Sequence, residues 1–118
     1  DAYYLLALSY EKKGNFQEAV ASFKKIEGNK TPQLQFKLAE CLEGAGQLNE
    51  AIEEYSRITG QKPLMVKGLL RCALIYENQL NRMSAINVYE RIAELNVEES
   101  KFARERLETL KEELGGKE

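Results

Sequence analysis

One stretch of fifteen residues comes back twice. "SYEKKGNFQEAVASF" (9–23) is followed by "CLEGAGQLNEAIEEY" (41–55) and "IYENQLNRMSAINVY" (75–89). Each has glutamate in third place, alanine then an aliphatic residue in eleventh and twelfth, and an aromatic at the end. The shared alanines, Ala19, Ala51 and Ala85, are spaced by 32 and then 34 residues. This period constrains the fold more than any other feature, because a unit of about thirty residues cannot bury its own apolar face and must stack on its neighbours.

Within each period apolar residues return every three or four positions, the spacing of an amphipathic helix. Leu5, Leu6, Leu8 and Tyr10 precede a break, and Phe16, Ala19, Val20, Phe23 and Ile26 follow it. Gly14 and Gly46 suit the left-handed residue just past a helix end. Asn15 with Glu18 three residues on predicts a capping box, and Asn81 is a similar N-cap. Gly28 and Gly60 are expected to close second helices, and Thr31-Pro32 to open the next with a cap and a first-turn proline. Seven helices follow, at about 2–13, 16–27, 33–44, 48–59, 64–79, 82–95 and 98–114, with no strand. In the seventh, Ala103, Leu107, Leu110 and Leu114 make one apolar stripe on an otherwise polar helix, suited to covering the end of a stack.

Composition narrows the function classes. The 17 basic and 19 acidic side chains give a net charge of −2, and no run of lysine or arginine could track a phosphate backbone, so nucleic acid is not an expected partner. No apolar stretch approaches the roughly 18–20 residues of a membrane-spanning helix. Cys41 and Cys72, without CxxC spacing and with no histidine in the chain, are expected to be buried free thiols, with a disulfide between them as the lesser alternative, and neither a metal nor a cofactor is expected. With no glycine-rich phosphate loop and no nucleophile elbow, the chain is not expected to be an enzyme. Glu53–Glu54 and Glu112–Glu113 are adjacent on a helix and do not face each other. The chain begins at Asp1 inside a helical pattern, as a piece of a longer protein would, so compartment stays open.

The three units resemble the tetratricopeptide repeat. Tyr3, Leu6, Ala7, Tyr10, Gly14, Phe16, Ala19 and Phe23 match in the first. Leu38, Ala39, Leu42, Gly46, Leu48, Ala51, Tyr55 and Pro63 match in the second, and Leu69, Cys72, Ala73, Tyr76, Ala85 and Tyr89 in the third. The family's tryptophan is replaced by Tyr3, Gln35 and Leu69. Leu80 stands where the other turns have glycine, and Arg82 where they have Phe16 and Leu48, so the third hairpin is expected to pack or tilt differently. The resemblance implies an all-α fold, a right-handed α-solenoid of three hairpins (about 1–31, 32–63 and 64–97) and a capping helix (about 98–114), forming one domain over 1–118. Small residues at Ala7, Ala39 and Ala73, and at Ala19, Ala51 and Ala85, let helix axes approach to about 8–10 Å.

The resemblance further implies a non-catalytic scaffold that binds a peptide or helix in a concave groove lined by the first helix of each hairpin. The groove positions are Tyr4, Leu8, Glu11 and Lys12 in the first unit, and Phe36, Lys37, Glu40 and Glu43 in the second. In the third they are Lys67, Leu70, Arg71, Leu74, Glu77 and Asn78. Tyr4, Leu8, Phe36, Leu70 and Leu74 lie outside the packing signature and form an apolar strip for the ligand. Glu11, Glu40, Glu43 and Glu77 give an acidic rim favouring basic ligand residues. Some family members grip a C-terminal carboxylate with lysine, asparagine and arginine. Lys67 and Arg71 match that clamp, but Tyr4, Leu8 and Lys37 replace its other members. The alternative expectation is a self-assembly module, a homo-oligomer whose groove is filled by its own chain or a second copy. The "YYLL", "EKKGN" and "FKKI" text resembles bacterial members of the family that serve in cell-envelope assembly, leaving cytoplasm and envelope both open.

Overall fold

The computed structural model describes residues 2–28 and 30–115. The expectations that rest on Asp1 and on the last residues of a 1–118 domain lie outside the described residues. Among the described residues there are seven helices and no strand. They are α1 (Ala2–Lys12), α2 (Phe16–Lys24), α3 (Pro32–Gly44), α4 (Leu48–Ser56), α5 (Lys62–Asn78), α6 (Arg82–Glu94) and α7 (Ser100–Gly115). The fold is all-α, as the 3.6-residue periodicity requires. The chain divides into two compact units, Asp1–Met65 and Val66–Glu118.

Three turns join α1 to α2, α3 to α4 and α5 to α6, and all three carry the same bonds. Gly14 N–H donates to Glu11 O at 3.0 Å and Asn15 N–H to Tyr10 O at 2.9 Å. Gly46 and Gln47 repeat the pair to Glu43 O and Leu42 O, and Leu80 and Asn81 repeat it to Glu77 O and Tyr76 O. The bond reaching back five residues closes the helix end. It needs a left-handed residue, and Gly14, Gly46 and Leu80 have φ of 80, 81 and 59°. The expected difference in the third hairpin is therefore absent from its turn, where the backbone bonds outweigh the cost of a side chain at Leu80.

Two cap expectations are corrected. Asn15 makes no side-chain cap bond, so the Asn15–Glu18 box does not form. These turns are closed by their backbone, and Gln47 makes no cap bond either. Only Asn81 adds one, a long 3.3 Å bond from Ser84 N–H. Thr31, by contrast, follows a loop, has an extended backbone and accepts from Leu34 N–H at 3.2 Å ahead of Pro32. Secondly, α2 and α4 end about three residues before Gly28 and Gly60. Their tails tighten into three-residue bonds, Ile26 N–H to Phe23 O and Ile58 N–H to Tyr55 O, and the glycines turn the chain later, in the loops, at φ of 92 and 85°.

In unit 1, α1 packs on α2, α2 on α3, and α3 on α4. Ala7, Ala19, Ala39 and Ala51 are fully buried, with Phe23, Leu38, Leu42 and Tyr55 filling the space around them. Gly44 is a closest-approach point, where an added Cβ would lie 2.8 Å from the Phe16 ring. Leu6, a signature position, is exposed, whereas its counterpart Leu38 is buried. In unit 2, α6 packs on α7. Ala73, Ala85, Tyr89, Ile92, Ala103 and Leu110 are buried there. The α7 stripe is less complete than its sequence suggests, since Leu107 is half-buried and Leu114 exposed. Cys41 and Cys72 are both buried, and neither is in a disulfide.

Candidate functional site

The groove positions of unit 1 lie on α1 and α3, the first helices of two hairpins. Tyr4 meets Phe23 edge to face, with ring centroids 6.1 Å apart and planes at 64°. One period later Phe36 meets Tyr55 in the same way, at 5.5 Å and 64°. Each aromatic thus rests on the terminal aromatic of its own hairpin, and neither is wholly covered. Leu8 is half-buried on the same helix as Tyr4. Tyr4 also lines a mainly apolar cavity of 260 Å³ with Ile26, Thr31, Gln33 and Leu34.

Glu11, Glu40 and Glu43 are engaged within unit 1. Lys37 Nζ reaches Glu11 Oε1 at 3.4 Å and Glu40 Oε1 at 3.8 Å, tying α1 to α3. Glu43 accepts the Tyr55 hydroxyl at 2.9 Å. Below them the Cys41 thiol is pushed up to about 12, first by burial and then by the charges of Glu11 and Glu40, so it stays protonated and unreactive at neutral pH.

In unit 2, Lys67 and Arg71 are exposed on α5, and Leu70 and Leu74 are half-buried. Glu77 lies at the centre of a polar cluster. It accepts the Tyr89 hydroxyl at 2.5 Å and two Arg106 nitrogens, Nε at 3.4 Å and the terminal NH2 at closer range. Burial pushes the Glu77 carboxyl up, but the Arg106 and Tyr89 bonds together with the Arg106 charge outweigh it and hold the group below the usual carboxylate range. Burial, and then the Glu77 carboxylate, raises the Tyr89 hydroxyl. The bond to Glu77 likewise raises Arg106.

The recurring glutamate and aromatic stand twelve residues apart in every unit, and in two of the three they are partners. Glu43–Tyr55 and Glu77–Tyr89 are bonded, and in the first unit Phe23 lacks the hydroxyl and Glu11 receives Lys37 instead. The fixed separation, visible in the sequence, was the available signal for this pairing. Arg106 had no comparable signal, because it lies on a helix outside the repeats. Arg82, which replaces Phe16 and Leu48, pairs with Glu113 at 3.1 Å. Among the described residues no group of three or more His, Cys, Asp or Glu could hold a metal ion, and no helix is long and apolar enough to cross a membrane.

The sequence profile of the Tetratricopeptide repeat family matches residues 10–71, slightly more than half of the chain. No curated protein matches the chain. The matched span contains the first two turns with their paired backbone bonds, the buried alanines Ala19, Ala39 and Ala51, and the Glu43–Tyr55 pair. The chain belongs to the tetratricopeptide repeat family, whose repeats serve in general as protein–protein interaction modules.

Proposed function

We propose that this protein is a non-catalytic scaffold that receives a peptide or helix on the first helices of its hairpins. The observation that carries the reading is the pair Tyr4 and Phe36, two aromatics one period apart, each held edge-on by a buried ring and each still partly open to solvent. A side chain ordered before binding loses little entropy on binding, so such rings make good anchors. Leu8 adds aliphatic surface on the same helix as Tyr4, and in unit 2 Leu70 and Leu74 add it on α5. Glu40, Glu11 and Glu43 favour basic residues flanking an apolar ligand core, and Lys67 and Arg71 favour an acidic one on the α5 face.

A displayed library of random peptides, selected on the purified chain, tests this reading. Enriched peptides should share an aromatic or branched aliphatic residue. Their binding should fall at least tenfold in Phe36→Ala and Leu74→Glu variants whose circular dichroism and melting are unchanged, a loss of about 1.4 kcal/mol or more. Failure to enrich any peptide, or binding indifferent to both substitutions, would sink it.

A second reading, self-association, draws on a different observation. Tyr3, Leu5 and Leu6 on α1 are 44, 67 and 45% exposed, large apolar side chains open to solvent that a partner surface could cover. Sedimentation velocity from micromolar to near-millimolar chain separates the two. A monomer throughout counts against self-association, and a dimer dissociated by Leu5→Glu supports it.

A further inference from the structure

The contacts of α7 differ in kind from those of the other helices. Its fully buried side chains are Ser100, Ala103 and Leu110, of which only Leu110 is large. α6, by comparison, buries Ala85, Ile86, Val88, Tyr89 and Ile92. What α7 lacks in apolar seam it has in charge. Arg106 forks onto Glu77 of α5, Glu113 takes Arg82 of α6 at 3.1 Å, and Lys111 reaches Glu90 of α6 at 3.9 Å. Phe102 touches the Tyr89 ring edge-on at 6.0 Å, yet is 44% exposed. The start of α7 is pinned differently, by Ser100 Oγ, which donates to Ile92 O and accepts from Val97 N–H, both at 2.9 Å. Just before it Asn96 adopts a left-handed backbone, with φ of 53°.

We infer that α7 is a charge-latched helix, hinged at Ser100, that undocks from α5 and α6 while the rest of the chain stays folded, with the Arg106–Glu77 pair as its latch. The physical reason is that an apolar seam with one large side chain fully buried, beside a half-buried Leu107 and a partly exposed Phe102, sets a low free energy for local opening, and ion pairs that supply the remainder are screened by salt. Undocking removes Arg106 from the Glu77 carboxylate, which keeps the Tyr89 hydroxyl, and uncovers the side of α6 on which α7 packs. Resting on the groove reading above, Glu77 is one of the ligand-facing acids, so Arg106 occupies it until α7 leaves.

Amide hydrogen exchange of the whole chain, without ligand, tests the latch. At pH 7 and about 50 mM sodium chloride, α7 amides beyond Ala103 should exchange about tenfold or more faster than the buried amides of α6. Raising the salt to about 1 M should widen that ratio severalfold. Arg106→Gln should speed exchange in α7 about tenfold and leave α1 to α4 unchanged, with Arg106→Lys, which keeps the charge but not the fork, between the two. Lys111→Gln, at an exposed and long pair, should change it less than about twofold. One common exchange rate for α6 and α7 at both salt concentrations, or an Arg106→Gln variant with α7 protection intact, would overturn the inference. Because no ligand is present, that result would leave the peptide-binding reading untouched, and failure of the peptide selection would leave the latch untouched.

Discussion

Leu80 carries the one leucine side chain in a left-handed backbone position, at φ of 59°, where the sister turns have glycine. Its side chain is 71% exposed, so almost no burial offsets the strain. Relief of that strain, less the entropy that glycine loses on folding, predicts that Leu80→Gly stabilises the chain by about 0.5–1 kcal/mol, read from the urea midpoint. A lower midpoint would mean that Leu80 makes contacts worth more than its strain. Gly44 presents the opposite case. Its limit is space, since a Cβ would press on the Phe16 ring at 2.8 Å, and Gly44→Ala should cost about 1–3 kcal/mol in the same assay. The letter alone does not separate Gly44, which is limited by space, from Gly14 and Gly46, which are needed for their positive φ.

Among the elements, α5, α6 and α7 meet at the Glu77, Tyr89 and Arg106 side chains. A carboxyl whose folded pKa lies below its unfolded one stabilises the fold above the unfolded value, and the contribution is lost as pH falls through the folded value. Glu77 is such a group, so unit 2 should lose stability as pH is lowered from about 5 through 4 and below. Glu77→Gln should flatten that part of the profile, as measured by thermal melts across pH. An unchanged slope in the variant would show that other carboxyls carry the dependence. Tyr89→Phe removes the hydroxyl but keeps the ring against Phe102, and should cost about 1.5–3 kcal/mol, the range for hydrogen bonds to a charged group. Most of these helices were legible in the sequence, since the first helices and α6 fall within two residues of the expected bounds. The ends of α2 and α4 were not, because a helix stops where its last carbonyls find tighter partners, and the glycine that follows only turns the loop.

For the molecule as a whole, the period of 32 and 34 residues, the six alanines and the turn residues determined the class of fold. Stacked helices require small side chains at fixed intervals, and every one of the six alanines is fully buried. An Ala51→Leu substitution should accordingly cost about 1–3 kcal/mol by overpacking, measured by denaturant unfolding. The candidate groove residues were legible as positions, because register in a repeat fixes which residues share a helix face. Their states were not legible. Only the tertiary structure decided that Tyr4 and Phe36 rest on buried rings, that Leu6 is open while Leu38 is closed, and that the repeated glutamates meet hydroxyls and bases of the same chain. The division has a simple cause. Periodicity and turn chemistry are local properties that a sequence states outright, whereas the partner of a carboxylate depends on which side chain a neighbouring helix brings to within about 3 Å, and Arg106 reaches Glu77 from a helix that the repeat does not contain.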